Sequence, residues 1–153
     1  MAADLENTLV METTHGRVVI KLRPDLAPNH VARIKELARA GFYDGIVFHR
    51  VIDGFMAQTG DPTGTGMGGS KLPDLPAEFT TKAQFKRGTI GMARSADPDS
   101  ANSQFFITFA DAPWLDGQYT IVGEVTGGMD AVDKIKRGEP PTNPDKIISA
   151  KVQ

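Results

Sequence analysis

The chain has 153 residues, 40% hydrophobic and 24% charged, a composition typical of one globular domain, here expected to span residues 1–153. The net charge is −2 with the two signs interspersed, which argues against a protein that binds the phosphate backbone of nucleic acids. The absence of cysteine excludes disulfides, thiolate nucleophiles and cysteine metal sites, and no apolar run reaches membrane-spanning length. The first residues lack the pattern of a signal peptide, so we expect a cytoplasmic protein that does not bind membranes.

The first half of the chain is predicted to form two hairpins and one helix. The segments 5–12 and 17–22 are predicted to form two paired strands, and the second shows the alternation typical of a half-buried strand. Pro28 suits the first position of a helix, apolar residues follow at helical spacing, and Gly41 is a natural stop. A second hairpin is predicted over residues 47–58.

The second half begins with a long loop, rich in glycine and proline, at residues 60–76. Four more strands are predicted at residues 88–94, 104–109, 117–126 and 147–152. A second helix is predicted at residues 129–137, because acidic residues lie toward its start and basic residues toward its end. Seven or eight short strands and two helices indicate a mainly β fold, most economically a closed antiparallel barrel with a helix at each end.

One segment, FHRVIDGFMAQTGD at residues 48–61, places four chemically distinct side chains close together. They are a guanidinium, an aromatic ring, a thioether and a carboxamide, which belong to Arg50, Phe55, Met56 and Gln58. An Asp-Gly turn between them would fold the segment so that a permanent cation borders an apolar, aromatic surface. Such a surface can hold a neutral, carbonyl-bearing ligand in a fixed pose. The alternative is a buried hairpin whose arginine extends to water.

A second group of candidate residues lies between positions 93 and 119. Strand alternation sends one of Phe105 and Phe106 into the core and the other to the opposite face. Trp114, the only tryptophan, is predicted in a loop, where it is either a core plug or a binding platform. Gln104 precedes the two phenylalanines and could be simply a residue of the strand ladder.

Other motifs give little support for a cofactor or a metal. Gly64, Gly66 and Gly69 satisfy the pattern G-x-G-x-x-G, but the proline-containing segment that follows cannot start the helix that a dinucleotide site requires. Ser103 lacks the sequence context of a hydrolase nucleophile. No metal-ligand spacing relates the three histidines, which are His15, His30 and His49.

Taken together, the segments FHRVIDGFMAQTGD, GTGMGG, GTIGMARS, NSQFFIT and WLDGQYTIVGEV resemble the cyclophilin family of peptidyl-prolyl cis-trans isomerases. The resemblance covers nearly the whole chain, in the family's order and close to its spacing. It implies an eight-stranded antiparallel barrel capped by two helices, and isomerisation of X-Pro peptide bonds with Arg50 as the catalytic residue. It implies a pocket for the proline ring, formed by Phe55, Met56, Phe106 and Leu115. It also implies a groove for the peptide backbone, formed by Gln58, Ala93, Arg94 and Gln104.

The resemblance also implies the partners. The first are proline-containing polypeptides. The second are cyclosporin-type cyclic peptides, because Trp114 matches the tryptophan that cyclophilins use to bind cyclosporin. We expect the protein to be a monomer. Arg94 and Tyr119 stand where many eukaryotic members carry Asn and His, so the contacts to residues that flank the proline remain open. A proline-peptide binding or chaperone module with little turnover is the alternative. The presence of Arg50 favours catalysis, because binding a proline ring needs only the apolar pocket.

Overall fold

The computed structural model describes residues 7–66, 68–80, 82–138 and 141–152. Within these ranges the chain forms eight antiparallel strands, two α-helices and a short 3₁₀ turn at Pro113–Leu115. The strands are β1 Thr8–Thr13, β2 Gly16–Leu22, β3 Arg50–Ile52, β4 Met56–Thr59, β5 Thr89–Met92, β6 Phe105–Thr108, β7 Ile121–Gly127 and β8 Ile147–Val152. The helices are α1 Pro28–Arg39 and α2 Met129–Asp133. No helix in the described ranges is long and apolar enough to cross a bilayer.

The first helix begins and ends as its sequence predicts. Pro28 occupies the first turn, and Gly41 adopts a left-handed backbone with φ of 74° just after the helix. Helix α2 ends at Asp133, earlier than the predicted boundary at Arg137. It ends early because the backbone N–H of Lys136 donates to the carboxylate of Asp145, at 2.8 Å, instead of continuing the helix.

The sheet is curled but open, so the predicted closed barrel is wrong. Its strand order is β3-β4-β6-β5-β7-β2-β1-β8, and the two edge strands do not form a ladder with each other. An isolated bridge between Val47 and Lys146 is the contact nearest to closure. The outer edge of β3 is already occupied, since Val51 and Gly138 exchange two backbone hydrogen bonds of 2.8 Å. The segment after α2 therefore takes the place that β8 would need to close the ring.

Two apolar clusters lie on opposite faces of the strands β4, β6 and β5. The main core contains Phe105 and Ile107, together with the inward faces of the helices. The second cluster contains Met56 and Phe106 and is covered by the loops that carry Phe85 and Leu115. The predicted division of Phe105 and Phe106 between two faces is confirmed, and the second face is where the candidate site is built.

Candidate active site

The candidate site starts from a row of residues that crosses four strands. Arg50 pairs with Gln58, Gln58 with Phe106, and Phe106 with Gly91. Directly paired residues of antiparallel strands point to the same face of the sheet, so the side chains of Arg50, Gln58 and Phe106 stand side by side, and Gly91 leaves room at the end of the row. Met56, two residues from Gln58, shares that face. The register of the hairpin thus places a cation at the edge of an apolar surface, as the sequence predicts.

A cleft of about 510 Å³ opens above this row, and we call it the main cleft. It brings together every predicted site residue except Gln104. Its lining residues are Arg50, Phe55, Met56, Gln58, Ala93, Arg94, Phe106, Trp114, Leu115, Gln118 and Tyr119. Gln118 was not predicted as a site residue, because nothing in the pattern of the loop separates it from its solvent-facing neighbours.

The floor of the main cleft is apolar and tightly packed. The ring of Phe106 stacks on that of Phe85 with centroids 5.7 Å apart, and meets the edge of Tyr119 at 5.8 Å. Gly91 makes this arrangement possible, because a Cβ atom there would lie 2.6 Å from both stacked rings. Met56 and Leu115 complete the buried floor. The arrangement fixes Phe106 in one position and provides a surface suited to a flat, apolar ring.

Trp114 forms an exposed wall of the cleft and is not a core plug. Its side chain is 62% exposed, and its ring centroid lies 5.6 Å from that of Phe55. The 3₁₀ turn at Pro113–Leu115 turns the tryptophan outward while burying Leu115 beneath it. The structure therefore places Trp114 where it can contact a bound ligand.

The polar wall of the main cleft is fixed by amide hydrogen bonds. The Nε2 group of Gln58 donates to Oε1 of Gln104 at 2.8 Å. The Nε2 group of Gln104 donates in turn to the carbonyl oxygens of Gly66 and Gly68, at 3.0 and 2.8 Å. Because carbonyl oxygens only accept, these bonds fix the orientation of both amides and direct the carbonyl oxygen of Gln58 away from Gln104. Gln104 thus supports the cleft from behind, in addition to its place beside the strand ladder.

A buried carboxylate, which sequence reasoning missed, organises the glycine-rich loop. Asp61 is 1% exposed and accepts hydrogen bonds from the backbone N–H groups of Thr63, Thr65, Gly66 and Gly68. Burial alone would raise the pKa of Asp61, but these bonds and that from the Thr63 hydroxyl outweigh it and lower the pKa to about 2. The sequence signal was Asp followed closely by Thr and Gly, a pattern typical of turns closed by an aspartate side chain.

The same contacts explain why the glycine-rich loop does not suit a nucleotide phosphate. A phosphate-binding loop needs backbone N–H groups directed at the ligand. Here the N–H groups of Gly66 and Gly68 point inward to Asp61, and their carbonyl oxygens accept from Gln104. The loop therefore serves the polar wall of the main cleft.

The histidines lie outside the cleft lining. His30 is fully buried beside Glu78, and His15 pairs with Asp145 at 2.9 Å. His49 is buried, and burial lowers its pKa. Among the described residues no group of His, Cys, Asp and Glu side chains has an arrangement that could hold a metal ion.

Comparison with known proteins decides the family. The family model described as cyclophilin type peptidyl-prolyl cis-trans isomerase/CLD matches residues 8–152. The chain belongs to the cyclophilin family. The family's members are peptidyl-prolyl cis-trans isomerases, so this cyclophilin is an isomerase by family.

Relatives of known sequence and structure agree. A probable peptidyl-prolyl cis-trans isomerase of Brucella suis biovar 1 is 57% identical over 168 aligned residues, covering 99% of this chain and 85% of the relative. A cyclophilin from Hirschia baltica superposes with a TM-score of 0.90 at 32% identity, covering 99% and 76% of the two chains. A Cryptosporidium parvum cyclophilin, crystallised in the presence of the dipeptide Ala-Pro, superposes with a TM-score of 0.89 at 28% identity, covering 95% and 98%.

This cyclophilin has a second cleft beside the main one. Its volume is about 530 Å³, and it shares Gln58, Ala93 and Arg94 with the main cleft. Gln104, the predicted site residue absent from the main cleft, lines the second cleft. All the predicted site residues therefore line the main cleft or the second cleft, and Arg94 stands at the boundary between the two clefts.

Proposed function

We propose that this cyclophilin accelerates rotation about X-Pro bonds in flexible polypeptides without a covalent intermediate, and that Arg50 assists the rotation. The observation that supports the proposal is the row Arg50–Gln58–Phe106. It sets an exposed guanidinium at one edge of a packed, apolar floor. Such a floor can hold a proline ring while the cation lies near the amide that must twist.

The chemistry requires a donor that becomes more effective at the top of the barrier. Rotation about an X-Pro bond is slow because the amide loses its resonance when it twists. The prolyl nitrogen then becomes pyramidal and gains a localised lone pair, which a nearby N–H group can stabilise. Only interactions that strengthen in the transition state raise the rate of the chemical step. Arg50 suits this role because a guanidinium stays charged and its donors are held in a rigid fork.

Arg50 supplies a part of the acceleration. A hydrogen bond to a charged group contributes about 1.5–3 kcal/mol net, or roughly one to two decades in rate, and a donor preorganised in a site that excludes water contributes up to roughly three decades. The apolar floor contributes by favouring the twisted amide, which is less dipolar than the planar one. Gln58, with its amide orientation fixed by Gln104, holds one side of the bond while the other side turns.

The test is the isomerisation rate of a short X-Pro peptide with Arg50→Ala. We expect kcat/KM to fall on the order of 10²–10³, as for removal of a preorganised electrostatic donor, with the fold intact. Arg50→Lys keeps the positive charge but loses the rigid fork of donors. Its kcat/KM should lie between those of the wild type and of Arg50→Ala. Arg17→Ala is the matched control, because Arg17 is an exposed strand residue that lines neither cleft. Wild-type activity in Arg50→Ala would refute the role of Arg50. Peptide binding without any acceleration in the wild type would indicate a binding or chaperone module.

We propose that proline-containing polypeptides and cyclosporin-type cyclic peptides bind in the main cleft. The Ala-Pro dipeptide used with the Cryptosporidium parvum cyclophilin supports the first class of ligand. The exposed, apolar wall formed by Trp114 beside Phe55 supports the second.

We further propose a cytoplasmic monomer. The absence of cysteine suits a reducing compartment. The large apolar side chains exposed in the described ranges are Phe79 and Trp114, near the clefts, and Ile148, so they form no broad patch that a partner subunit would cover. Light scattering of the purified protein tests the monomer, and a mass near 33 kDa, roughly twice the chain mass, would contradict it.

A further inference from the structure

Arg94 is held in a fixed position at the boundary between the two clefts. Its guanidinium lies 4.5 Å from the ring centroid of Tyr119 and 5.9 Å from that of Phe79. Its Nε and Nη2 groups donate to the carbonyl oxygen of Gln118, at 3.3 and 2.8 Å, and Nη1 donates to that of Ser95 at 3.0 Å. An arginine stacked between aromatic rings and bound to backbone carbonyls loses little further freedom when it binds a ligand.

Arg94 keeps donors for a ligand. A guanidinium has five N–H donors, and its hydrogen bonds to described residues occupy one on each of the three nitrogens. One N–H on each terminal nitrogen is left for an acceptor. A carboxylate is the acceptor that a guanidinium binds most strongly among peptide side chains.

The charged residues that line the main cleft in the described ranges are both cations, Arg50 and Arg94. The second cleft has one carboxylate in its lining, Asp74, which accepts a hydrogen bond from Asn102 at 3.1 Å. A peptide that runs from the main cleft into the second cleft crosses the boundary formed by Gln58, Ala93 and Arg94, and Arg94 is the charged residue of the three.

We propose that Arg94 makes this isomerase select X-Pro sites that carry an acidic side chain next to the proline. The inference rests on the proposed function, since it requires the proline ring to sit on the apolar floor of the main cleft. With the ring there, one neighbouring residue of the peptide reaches the boundary where Arg94 stands. A carboxylate on that residue meets a cation and two N–H donors, whereas an ammonium group is repelled.

The test compares isomerisation of the peptides Ala-Xaa-Pro-Phe with Glu, Gln or Lys at Xaa, and of a second series with the same residues directly after the proline. In the wild type we expect kcat/KM for the Glu peptide to exceed that for the Lys peptide about threefold to tenfold in at least one series. This range is that of a partly exposed ion pair. The ratio should fall toward one in 0.5 M salt, because salt screens exposed charges.

Variants separate Arg94 from the general positive field. Arg94→Gln should bring the Glu to Lys ratio close to one, Arg94→Glu should invert it, and Arg94→Lys should retain part of it. Arg17→Gln is the control and should leave the ratio at its wild-type value. Melting temperatures confirm that each variant is folded.

Each outcome bears on the inference. A wild-type ratio near one in both series would overturn it, and so would a preference that persists in Arg94→Gln, which would assign the selection to Arg50. In both cases the isomerase function would stand. Failure to accelerate any peptide would refute the proposed function, and the inference with it.

Discussion

The side-chain amides of Gln58 and Gln104 are joined by a hydrogen bond of 2.8 Å. This bond connects strand β4, which pairs with the strand of Arg50, to a residue that is itself anchored on the carbonyls of Gly66 and Gly68. The polar wall of the main cleft is therefore supported by a loop distant from the reacting bond. Loss of the connection should affect catalysis more than folding.

Replacement of Gln104 tests this connection. We expect Gln104→Ala to lower kcat/KM for an X-Pro peptide by up to about tenfold, since the hydrogen bond that orients Gln58 contributes roughly 0.5–1.5 kcal/mol. The free energy of unfolding in urea should change little by comparison. Gln84→Ala is the control, because Gln84 is exposed and lines neither cleft. Equal activity in the two variants would show that Gln58 needs no support.

Gly91 should be required for its small size. In Gly91→Ala the new Cβ atom would lie 2.6 Å from the rings of Phe85 and Phe106, so the floor of the cleft must shift. We expect a loss of about 1–3 kcal/mol in the free energy of unfolding, the range for overpacking, together with reduced kcat/KM. Gly127→Ala is the matched strand control, since its Cβ would meet Val19 at an ordinary 3.7 Å. Equal stability of the two variants would contradict the prediction.

The free energy of unfolding should fall in two steps as the pH is lowered. Burial lowers the pKa of His30 and of His49 below the ordinary 6.5, so the unfolded chain takes up protons first and folding weakens as the pH drops below 6.5. The ionised carboxylate of Asp61 continues to stabilise the folded protein at lower pH. This stabilisation is lost only as the pH falls from 3.8, the ordinary pKa of an aspartate, to about 2, the pKa of Asp61 in the folded protein.

Urea titrations from pH 8 to pH 2 measure both steps. His49→Gln should flatten the dependence near pH 6, and Asp61→Asn should remove the step below pH 4. A free energy of unfolding that stays constant from pH 7 to pH 5 would disprove the first step.

Trp114 gives a direct optical signal for ligands in the main cleft. It is the only tryptophan, so a change in tryptophan fluorescence on titration with cyclosporin reports on this wall alone. We expect a saturable change, and weaker inhibition of isomerisation in Trp114→Phe, which keeps an aromatic ring but loses area. Ile148→Ala is the control, because Ile148 is an exposed apolar residue that lines neither cleft. An unchanged spectrum with undiminished activity would exclude cyclosporin from this surface.

The sequence predicts the arrangement of side chains around the main cleft well because local rules fix it. The Asp-Gly turn sets the hairpin register, Gly54 adopts the expected positive φ of 73°, and alternation then places Arg50, Gln58 and Met56 on one face. Strand alternation likewise predicts the separation of Phe105 from Phe106.

The features that the sequence does not predict depend on distant partners. Closure of the sheet fails because Gly138 occupies the edge of Val51, and helix α2 stops because Asp145 accepts from Lys136. The loop that supports Gln104 depends on the burial of Asp61. The contacts of Gly138 and Asp145 have no signature within a short stretch of sequence, whereas the turn closed by Asp61 has one in the Thr and Gly residues that follow it.

The contacts that cover the β3 edge of the sheet have a consequence for how the isomerase can be modulated. The hairpin that carries Arg50 is braced from the side by a segment nearly ninety positions away along the chain, through Gly138 on Val51 and through a 3.1 Å contact from Arg137 to Asp53 in the turn. Substitutions at Arg137 or Gly138 would change the tilt of the hairpin without altering a residue that lines either cleft. Natural variation there offers a route to tune turnover while the substrate-facing surface stays the same.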